Sequence, residues 1–505
     1  MLYLQNCDKK LSKFYHLVKT HKIPTEVEDP TQWMENNGFP VRGIISSCGS
    51  PTERLAGFVD FFLQPGMKAL PSFLRDTKDT LQTIEQLNEK IEIGDFSLDN
   101  INLVSLDVAN MYGNMSDELG ISACESYLNS RDLLSQDDEL NIATDKILEA
   151  LNLCIKNNYF EFNEKMYKVK GGVGTGVKLA PPYACLGMGK YENIVFESAN
   201  DLVSLVVLWK RFIDDIFMLF KGSKEQCDSL VSWLNSLMTG VVKFTYDFSE
   251  NRIEFLDLVI FKENGRLQTY LFIKPSNKQL YLDFNSNHPS HCKSGLVFGQ
   301  ALRIIERCSK SLDVDKHLTN LKSKLLERNY PEHLIEDQFS RAKSHNRRDL
   351  IFKPKKSTKN DSKVRLIFTY NGGGPPFHKW FREGKKLLLK NDEAKKMGDN
   401  LQIAYRQPKN LQKIVCGTKK QSVGDQVDIS GCYKCNHCRV SCPILNETKT
   451  FSSTNTGKSY RIRQYINCES TNVIYLATCK KCGGQYVGKS KTKFKTRHSE
   501  NKREI

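Results

Sequence analysis

The stretch Arg211-Phe-Ile-Asp-Asp-Ile-Phe217 sets two adjacent acids between two apolar runs. The runs extend from Leu202 to Phe212 and from Ile216 to Phe220, and they are rich in the β-branched and aromatic residues that favour strands. Because so few residues separate them, they predict a β-hairpin with Asp214 and Asp215 at its tip. Acids with apolar neighbours on both sides are costly to desolvate unless a cation binds them. The hairpin therefore predicts a cation site, and an ordinary acidic turn is the alternative.

A third acid, Asp107, lies near the end of the largely apolar segment Ile101-Asn-Leu-Val-Ser-Leu-Asp-Val108. Such a segment is typical of a strand that is buried on both faces. Two strands that end together would present Asp107, Asp214 and Asp215 as one cluster. Mg²⁺ prefers oxygen ligands, and a pair of such ions can activate an attacking hydroxyl and stabilise the leaving group. We therefore predict a catalytic site with two Mg²⁺ ions, or Mn²⁺ in their place, at these three carboxylates.

Between the two acidic motifs lies a glycine-rich stretch, Gly172-Val-Gly-Thr-Gly-Val-Lys-Leu-Ala-Pro-Pro-Tyr-Ala184. Glycines allow a backbone to approach a ligand closely, although flexible turns share the pattern. In this order and spacing the three motifs resemble those of reverse transcriptases. The hairpin resembles the Tyr/Phe-x-Asp-Asp motif of that family, and Leu106-Asp-Val-Ala-Asn-Met-Tyr112 resembles the strand that carries the first catalytic Asp.

The resemblance implies roles for residues around the three acids. Tyr112 would be the steric gate under the sugar of the incoming nucleotide, and a packed core tyrosine is the alternative. Gly174 and Gly176 would belong to the turn that contacts the template and the nucleotide. Thr175 stands where the family usually carries Met. The implied reaction is attack of a primer 3′-hydroxyl on a deoxynucleoside triphosphate, copied from an RNA template.

Two N-terminal segments make the resemblance narrower. Phe14-Tyr-His-Leu-Val-Lys-Thr-His-Lys22 resembles the Phe-Tyr-x-Leu-Pro-Lys-x-His-Lys segment of Penelope-like retroelements, with Val18 in place of Pro. Val41-Arg-Gly-Ile-Ile-Ser46 resembles their Arg-Pro-Ile-Val-Ser strand, with Gly43 in place of Pro. The resemblance covers nearly all of residues 10–310 and implies that Arg42 contacts the triphosphate, a role suited to a planar cation with several donors.

A cluster of cysteines begins after residue 430. The run Cys432-x2-Cys435-x2-Cys438-x3-Cys442-Pro443 has the spacing of a bacterial iron–sulfur motif. Its neighbours are Lys, Arg and His, and the pair Cys479-x2-Cys482 follows, so two Cys-x2-Cys knuckles could supply a tetrahedral Zn²⁺ site. We predict Zn²⁺ at these six cysteines, with an iron–sulfur cluster or unliganded thiols as the alternatives.

The last residues resemble the first half of a GIY-YIG endonuclease. Val473-Ile-Tyr475 and Tyr486-Val-Gly488 resemble the two tripeptides, and Arg497 follows eleven residues after Tyr486. The resemblance implies that Tyr475, Tyr486, Gly488 and Arg497 form the start of a nuclease site, and an ordinary β-hairpin is the alternative. Such enzymes also need a metal-binding Glu well downstream, whereas this sequence ends at Ile505. The expectation is a truncated module without nuclease activity.

The charge of the chain is unevenly distributed. Residues 1–350 carry 41 Lys+Arg against 47 Asp+Glu, and residues 351–505 carry 33 against 11, so the second segment has a net charge of +22 (33 − 11). A surface that basic suits nucleic-acid phosphates, and a solvated tail is the alternative. We see no cleavable signal and no apolar run long enough to span a bilayer. The expectation is an intracellular, nuclear protein with nucleic acid rather than membrane as its partner.

Together these patterns predict an α+β fold: a right-hand polymerase with fingers, palm and thumb, followed by a small Cys-rich α/β GIY-YIG-like module. Two rival functions remain, a catalytically decayed retroelement fragment and a zinc-containing nucleic-acid-binding protein that uses the palm as a scaffold. Template preference and oligomeric state are left open. The expected boundaries are 1–100 for N-terminally incomplete fingers, 101–275 for the palm, 276–350 for a helical thumb, 351–430 for a basic linker and 431–505 for the Cys-rich module.

Overall fold

The computed structural model describes residues 10–18, 34, 41–130, 142–353, 364–370, 377–388, 390, 401–408, 430–435, 438, 442, 445–462 and 464–501. It divides into two units, Met1–Pro408 and Lys409–Ile505.

Helices and strands both contribute to the first unit, as expected for an α+β fold. The strands are β1 (Ser12–Val18), β2 (Val41–Ser46), β3 (Asn102–Val108), β4 (Tyr159–Phe162), β5 (Lys165–Lys168), β6 (Val206–Phe212), β7 (Asp215–Phe220), β8 (Phe244–Ser249), β9 (Arg252–Phe255), β10 (Leu258–Glu263), β11 (Arg266–Leu271), β12 (Val364–Thr369), β13 (Leu401–Arg406), β14 (Gly431–Cys432), β15 (Thr450–Ser452), β16 (Ser459–Arg461), β17 (Tyr465–Ile466), β18 (Val473–Thr478) and β19 (Gln485–Ser490). The helices are α1 (Glu53–Ala69), α2 (Thr77–Glu92), α3 (Met111–Asn114), α4 (Asp117–Ser130), α5 (Thr144–Lys156), α6 (Ala180–Phe196), α7 (Lys224–Leu237), α8 (Ser290–Arg307), α9 (Ser311–Leu326), α10 (Glu332–Lys343), α11 (Arg347–Phe352), α12 (Phe377–Leu388) and α13 (Phe494–Asn501).

The central sheet of the first unit has the strand order β6-β7-β3-β8. All of its neighbouring strands are antiparallel. Because side chains alternate along a strand, β7 buries Ile216 and Met218 in one core and Phe217 and Leu219 in the other. The first core includes α1 and α4–α7, and the second includes α2 and the small sheet β9–β11. The apolar run after the acids therefore forms a strand that is covered on both faces, whereas β6 lies at the edge of the sheet.

The first unit contains two further parts besides the central sheet. A four-stranded sheet with the order β2-β1-β4-β5 contains the N-terminal strands. Helices α8, α9 and α10 enclose a third core, which includes Val297, Leu318 and Ile335. This helical region agrees with the helices expected between residues 276 and 350. Within the segment expected to be a linker, β12 and β13 form a parallel pair.

Local signals explain where several elements begin. Helix α4 starts after Ser116, whose hydroxyl accepts a hydrogen bond from the Leu119 amide at 3.2 Å, as expected for an N-cap. The first strand of the hairpin is shorter than its apolar run, because Asp201–Leu205 forms a 3₁₀ turn. The Asn200 side chain accepts a hydrogen bond from the Leu202 amide at 2.9 Å and so caps that turn. Polar capping at Asn200 overrides the strand preference of the residues that follow.

The described residues of the second unit form short strand pairs and helix α13. The pairs are β14 with β17, β15 with β16, and β18 with β19.

Across the described part of the whole chain, no helix is both long and apolar enough to cross a membrane.

Candidate active site

Asp107 and Asp215 lie opposite each other on the neighbouring strands β3 and β7. The neighbouring pair, Val108 and Asp214, is hydrogen-bonded, since the Val108 amide donates to the Asp214 carbonyl at 2.9 Å. Asp107 and Asp215 are therefore a non-hydrogen-bonded pair, whose Cα atoms are about 4.5 Å apart in antiparallel sheets. Their side chains share the face of the sheet that also carries Leu103 and Phe217. The structure brings the two predicted acids together at one end of the central sheet.

Asp214 occupies the turn between β6 and β7. The residue before it, Ile213, has φ 57°, a left-handed conformation that is rare and strained for a β-branched side chain. This conformation makes the reversal tight enough that β7 starts immediately at Asp215. The predicted hairpin, with both acids at its tip, is present.

Electrostatics at the three acids favour a bound cation. The pKa of Asp215 is raised from 3.8 to about 6, first by burial, then by the negative charges of Asp214 and Asp107, while Lys274 opposes the shift. A raised pKa means that the ionised carboxylate is unfavourable in this position without a positive charge beside it. Lys274, which follows β11, supplies part of that charge. The donor set and its mutual repulsion fit hard divalent cations such as Mg²⁺.

Tyr112 lies in the single turn of α3, directly after β3. The turn is made possible by Asn110, whose φ of 49° is tolerated by a short polar side chain. The pKa of Tyr112 is raised to about 12, first by burial and then by the nearby Cys185 and Asp214, while Arg42 opposes the shift. The phenol is thus half-buried, neutral, and close enough to Asp214 and Arg42 to sense their charges.

The glycine-rich turn lies between Tyr112 and strand β2. The Val173 amide donates to the Tyr112 carbonyl at 2.9 Å, and the Ile45 amide donates to the Thr175 carbonyl at 2.8 Å. A Cβ atom at Gly174 would stand 2.7 Å from the Ile45 side chain, and one at Gly176 would stand 2.7 Å from the Ile45 carbonyl oxygen. Gly176 also has φ 112°, a conformation that other residues rarely adopt. Backbone packing against β2 explains both glycines without any ligand.

Arg42 is exposed on β2, in the strand pair that β2 forms with β1. The glycine-rich turn ties β2 to Tyr112, and Tyr112 is tied to the acids through β3. Arg42, Tyr112, Gly174, Gly176 and the three acids therefore belong to one continuous region of the first unit.

Two residues of this region were not predicted. Arg211, on β6, is fully buried and forms an ion pair with Glu192 of α6, with Nε donating to Oε1 at 2.7 Å. Arg211 Nη1 also donates to the Ile213 carbonyl at 3.2 Å, directly beside the acids. A signal existed in the sequence, since Glu192 is a single acid within a largely apolar helix and such an acid needs a partner.

The cysteine cluster of the second unit has a different composition from the predicted one. Among the described residues, Cys435, Cys438, Cys442 and Cys468 bring their sulfur atoms within 4.8 Å of one another. Cys442 Sγ lies 3.5 Å from Cys435 Sγ, 3.5 Å from Cys438 Sγ and 3.6 Å from Cys468 Sγ. These separations are far longer than a disulfide bond of about 2.05 Å. They are close to the roughly 3.8 Å expected between sulfurs that share one tetrahedral zinc with Zn–S bonds of about 2.3 Å.

The group of neighbouring thiols differs from the predicted ligand set. Cys468 completes the group of four thiols, whereas Cys432 lies outside that group. Cys479 and Cys482 lie in the loop between β18 and β19, where both are exposed, and they do not join the group either. The two knuckles therefore do not come together in the structure, because strand pairing of β14 with β17 brings Cys468 beside the first run.

The residues that resemble a GIY-YIG nuclease lie on β18, β19 and α13. Tyr475 is opposite Gly488 in the strand pair, and a Cβ atom at Gly488 would stand 2.3 Å from the Tyr475 ring. The Tyr475 ring also packs on Tyr486 and Phe494, with centroid distances of 6.4 and 5.4 Å. Arg497 lies on α13, one turn after Phe494. This packing equally suits an ordinary hairpin and helix, and the nuclease assignment stays a prediction.

Comparison with protein families matches residues 280–340 to an animal helix-turn-helix domain, a range that includes α8 and α9. No curated protein matches the chain. Similar solved structures include Candida albicans telomerase in complex with a TWJ fragment of telomeric RNA, 12% identical, covering 68% of this chain and 51% of that one, with a TM-score of 0.41. A Sicinivirus 3Dpol RNA-dependent RNA polymerase is 11% identical, covering 68% and 70%, with a TM-score of 0.42. An apo telomerase from Candida tropicalis is 16% identical, covering 42% and 44%, with a TM-score of 0.34. The matched regions thus span about half of the telomerase chains.

Proposed function

We propose that this chain is a template-directed nucleic-acid polymerase, and specifically an RNA-directed DNA polymerase of a Penelope-like retrotransposon. The observation that carries the proposal is the pairing of Asp107 with Asp215 in register, with Asp214 beside them in the hairpin turn. Three carboxylates at the open end of a sheet suit two-metal phosphoryl transfer. The retroelement class rests on the sequence motifs around these acids.

In this proposal the first unit has the parts of a right-hand polymerase. The central sheet is the palm, the sheet of β1, β2, β4 and β5 belongs to the fingers, and helices α8–α10 form the thumb. The helix-turn-helix match over residues 280–340 is compatible with a thumb that contacts a nucleic-acid duplex. The partners are an RNA template, a DNA primer or target, and deoxynucleoside triphosphates.

Each residue of the site has a task in the proposed reaction. The primer 3′-hydroxyl oxygen attacks the α-phosphorus, an oxygen–phosphorus bond forms, pyrophosphate leaves, and the hydroxyl proton passes to solvent. Asp107, Asp214 and Asp215 hold the divalent cations, and Arg42 binds the triphosphate. Tyr112 stands under the sugar and excludes a 2′-hydroxyl. Bound Mg²⁺ supplies positive charge that activates the hydroxyl and stabilises the leaving group.

Primer extension tests the proposal. Purified full-length chain is incubated with Mg²⁺ and oligo(dT) annealed to poly(rA) or to poly(dA), with dTTP or UTP as the nucleotide. We expect incorporation of dTMP on poly(rA). Incorporation of UMP alone would indicate an RNA polymerase. A lack of incorporation with every combination of template and nucleotide would favour the decayed fragment. In that last case a retained, salt-dependent affinity for nucleic acid would identify a binding protein.

We also propose that the second unit holds one structural Zn²⁺ at Cys435, Cys438, Cys442 and Cys468. The support is the sulfur spacing, which suits four ligands of one ion, whereas a cluster of several irons needs its thiolates farther apart. Soft thiolates select zinc over Mg²⁺ or Ca²⁺. Elemental analysis of protein purified without chelator should give about one zinc per chain. A brown protein that contains iron would contradict the assignment.

A further inference from the structure

A buried ion pair lies directly behind the hairpin that carries Asp214 and Asp215. Arg211 has 0% of its surface exposed and Glu192 has 5%, so neither charge is solvated. Arg211 Nε donates to Glu192 Oε1 at 2.7 Å, and Nη2 donates to Oε2 at 3.2 Å. This bidentate geometry connects the last turns of α6 to strand β6.

The remaining hydrogen-bonding capacity of Glu192 is also used. Trp209 Nε1 donates to Oε1 at 2.9 Å, and the Ser72 hydroxyl donates to Oε2 at 2.6 Å. The Arg211 backbone is held as well, since its amide donates to the Ser72 carbonyl and its carbonyl accepts from the Leu74 amide, both at 2.7 Å. Three segments of the chain, namely the residues before α2, helix α6 and strand β6, thus fix the position of Arg211.

The guanidinium in turn holds the hairpin tip. Arg211 Nη1 donates to the carbonyl of Ile213 at 3.2 Å, and Nη2 donates to the carbonyl of Cys185 at 3.2 Å. Ile213 is the residue with φ 57°, immediately before Asp214. A β-branched residue keeps such a conformation only when its surroundings over-determine it. The bond from Arg211 is one of the contacts that do so.

Stability alone does not explain a buried pair of this kind. Replacing a buried ion pair by well-packed apolar residues is often neutral or stabilising, because two charges no longer have to be desolvated. The pair instead orients the hairpin turn. Its planar, multidentate hydrogen bonds hold the arginine in place, and the arginine in turn holds a carbonyl next to the acids. Groups that orient metal ligands in this way affect metal affinity although they do not touch the ion.

We infer that Arg211 and Glu192 are positioning residues that hold the Ile213 turn in its strained conformation, so that Asp214 and Asp215 face Asp107 before divalent cations bind. This inference rests on the proposed polymerase function. It assigns neither residue a contact with substrate. It requires that loosening the pair weakens divalent-cation binding even when the fold is intact.

The test measures Mn²⁺ binding by electron paramagnetic resonance in the presence of dTTP and a dideoxy-terminated primer on an RNA template. The full-length wild type is compared with Arg211→Lys, which keeps the charge but loses the planar fork. A double variant, Arg211→Met with Glu192→Leu, removes both buried charges at similar volume. Circular dichroism and thermal unfolding report whether each variant is folded. Tyr191→Phe is the matched control: Tyr191 is on α6 beside Glu192, and the substitution removes its buried hydrogen bond to the Leu234 carbonyl of α7 without touching the pair.

We expect both pair variants to bind Mn²⁺ about 10- to 100-fold more weakly, as is typical for groups that orient metal ligands. The Tyr191→Phe protein should bind Mn²⁺ like the wild type. A folded pair variant with wild-type affinity would overturn the inference, and so would the failure of both variants to fold, which would make the pair a purely structural element. Asp107→Asn separates the two proposals: if wild-type Mn²⁺ binding does not depend on Asp107, the polymerase site itself is wrong.

Discussion

The central sheet and the cysteine-rich unit position their functional groups by different means. In the central sheet, apolar residues on both faces of β7 bury the strand, and the acids project from its end. In the described part of the chain after residue 352, the buried hydrophobic residues are Cys468 and Val473. Such limited apolar burial among the described residues leaves room for another source of stability, and a metal ion is the usual one in small units. The first site is therefore built by a core that exists without metal, whereas the second is expected to need its metal to fold.

The largest expected effect concerns the acids of the central sheet. Asp214→Asn should lower primer extension by at least about 10³-fold, because a neutral amide cannot hold dications against a triphosphate. The fold should remain, since the two cores do not depend on that side chain. Single-turnover extension and thermal unfolding measure the two properties.

The matched control for that substitution is Asp228→Asn, which makes the same chemical change on the exposed face of α7, where Asp228 pairs with Lys224. It should extend primers like the wild type. If Asp214→Asn retains near-normal extension, the site assignment is wrong. If the variant unfolds, the acids contribute to the stability of the fold, and the proposed difference between the two units is wrong.

The next prediction addresses the cysteine-rich unit. Cys468→Ser should reduce bound zinc from about one ion per chain to nearly none and should abolish hydrogen-exchange protection in β14 and β17, because metal binding and folding are coupled in such units. Extension by the central site should persist. Elemental analysis, hydrogen exchange and primer extension give the three readouts.

Cys432→Ser is the control that distinguishes the structure from the sequence pattern. Cys432 belongs to the same run of cysteines but lies outside the four-thiol group. Its replacement should leave zinc in place. Loss of zinc from Cys432→Ser together with retention in Cys468→Ser would return the ligand set to the one that spacing alone predicted.

A smaller effect is expected at Tyr112. Replacing it by Val should raise incorporation of UMP relative to dTMP by about 10- to 100-fold, because removing the ring opens space for a 2′-hydroxyl and a steric contact of this size contributes on the order of 1–3 kcal/mol. Tyr183→Phe, which leaves the ring of another buried tyrosine in place, serves as the control. An active Tyr112→Val protein with unchanged sugar discrimination would mean that Tyr112 is only a packing residue.

The smallest effect concerns pH and stability. The pKa of Asp215 is raised from 3.8 to about 6, so protonation favours the folded state and stability decreases as pH rises through that interval. In metal-free protein at pH 7.5, Asp215→Asn should therefore raise the free energy of unfolding by about 1–3 kcal/mol. The gain should vanish below about pH 3, where Asp215 is protonated in both states. Chemical denaturation of the first unit at several pH values provides the measurement, and a destabilised variant at pH 7.5 would contradict the raised pKa.

Some of this site could be predicted from the sequence because the signals are local. The largely apolar runs before Asp107 and on both sides of Asp214-Asp215 indicate strands, and the short connection between the last two runs indicates a hairpin. The ion pair of Arg211 with Glu192 joins residues 19 positions apart, and it depends on how α6 docks against β6. Cys468 lies 26 positions after Cys442, with no spacing motif around it, and the pairing of β14 with β17 brings it to the cluster. Contacts between elements of this kind carry no periodic signal in the sequence.

The most direct test of the central claim is the Mg²⁺ dependence of dTMP incorporation on poly(rA)/oligo(dT) by the full-length wild type and by Asp107→Asn, measured side by side. Because Asp107 and Asp215 face each other in register, we expect Mg²⁺-dependent extension by the wild type and none above background by the variant. Equal extension by both proteins, or a wild type that binds the primer–template with Mg²⁺ and dTTP present and still adds no nucleotide, would contradict it.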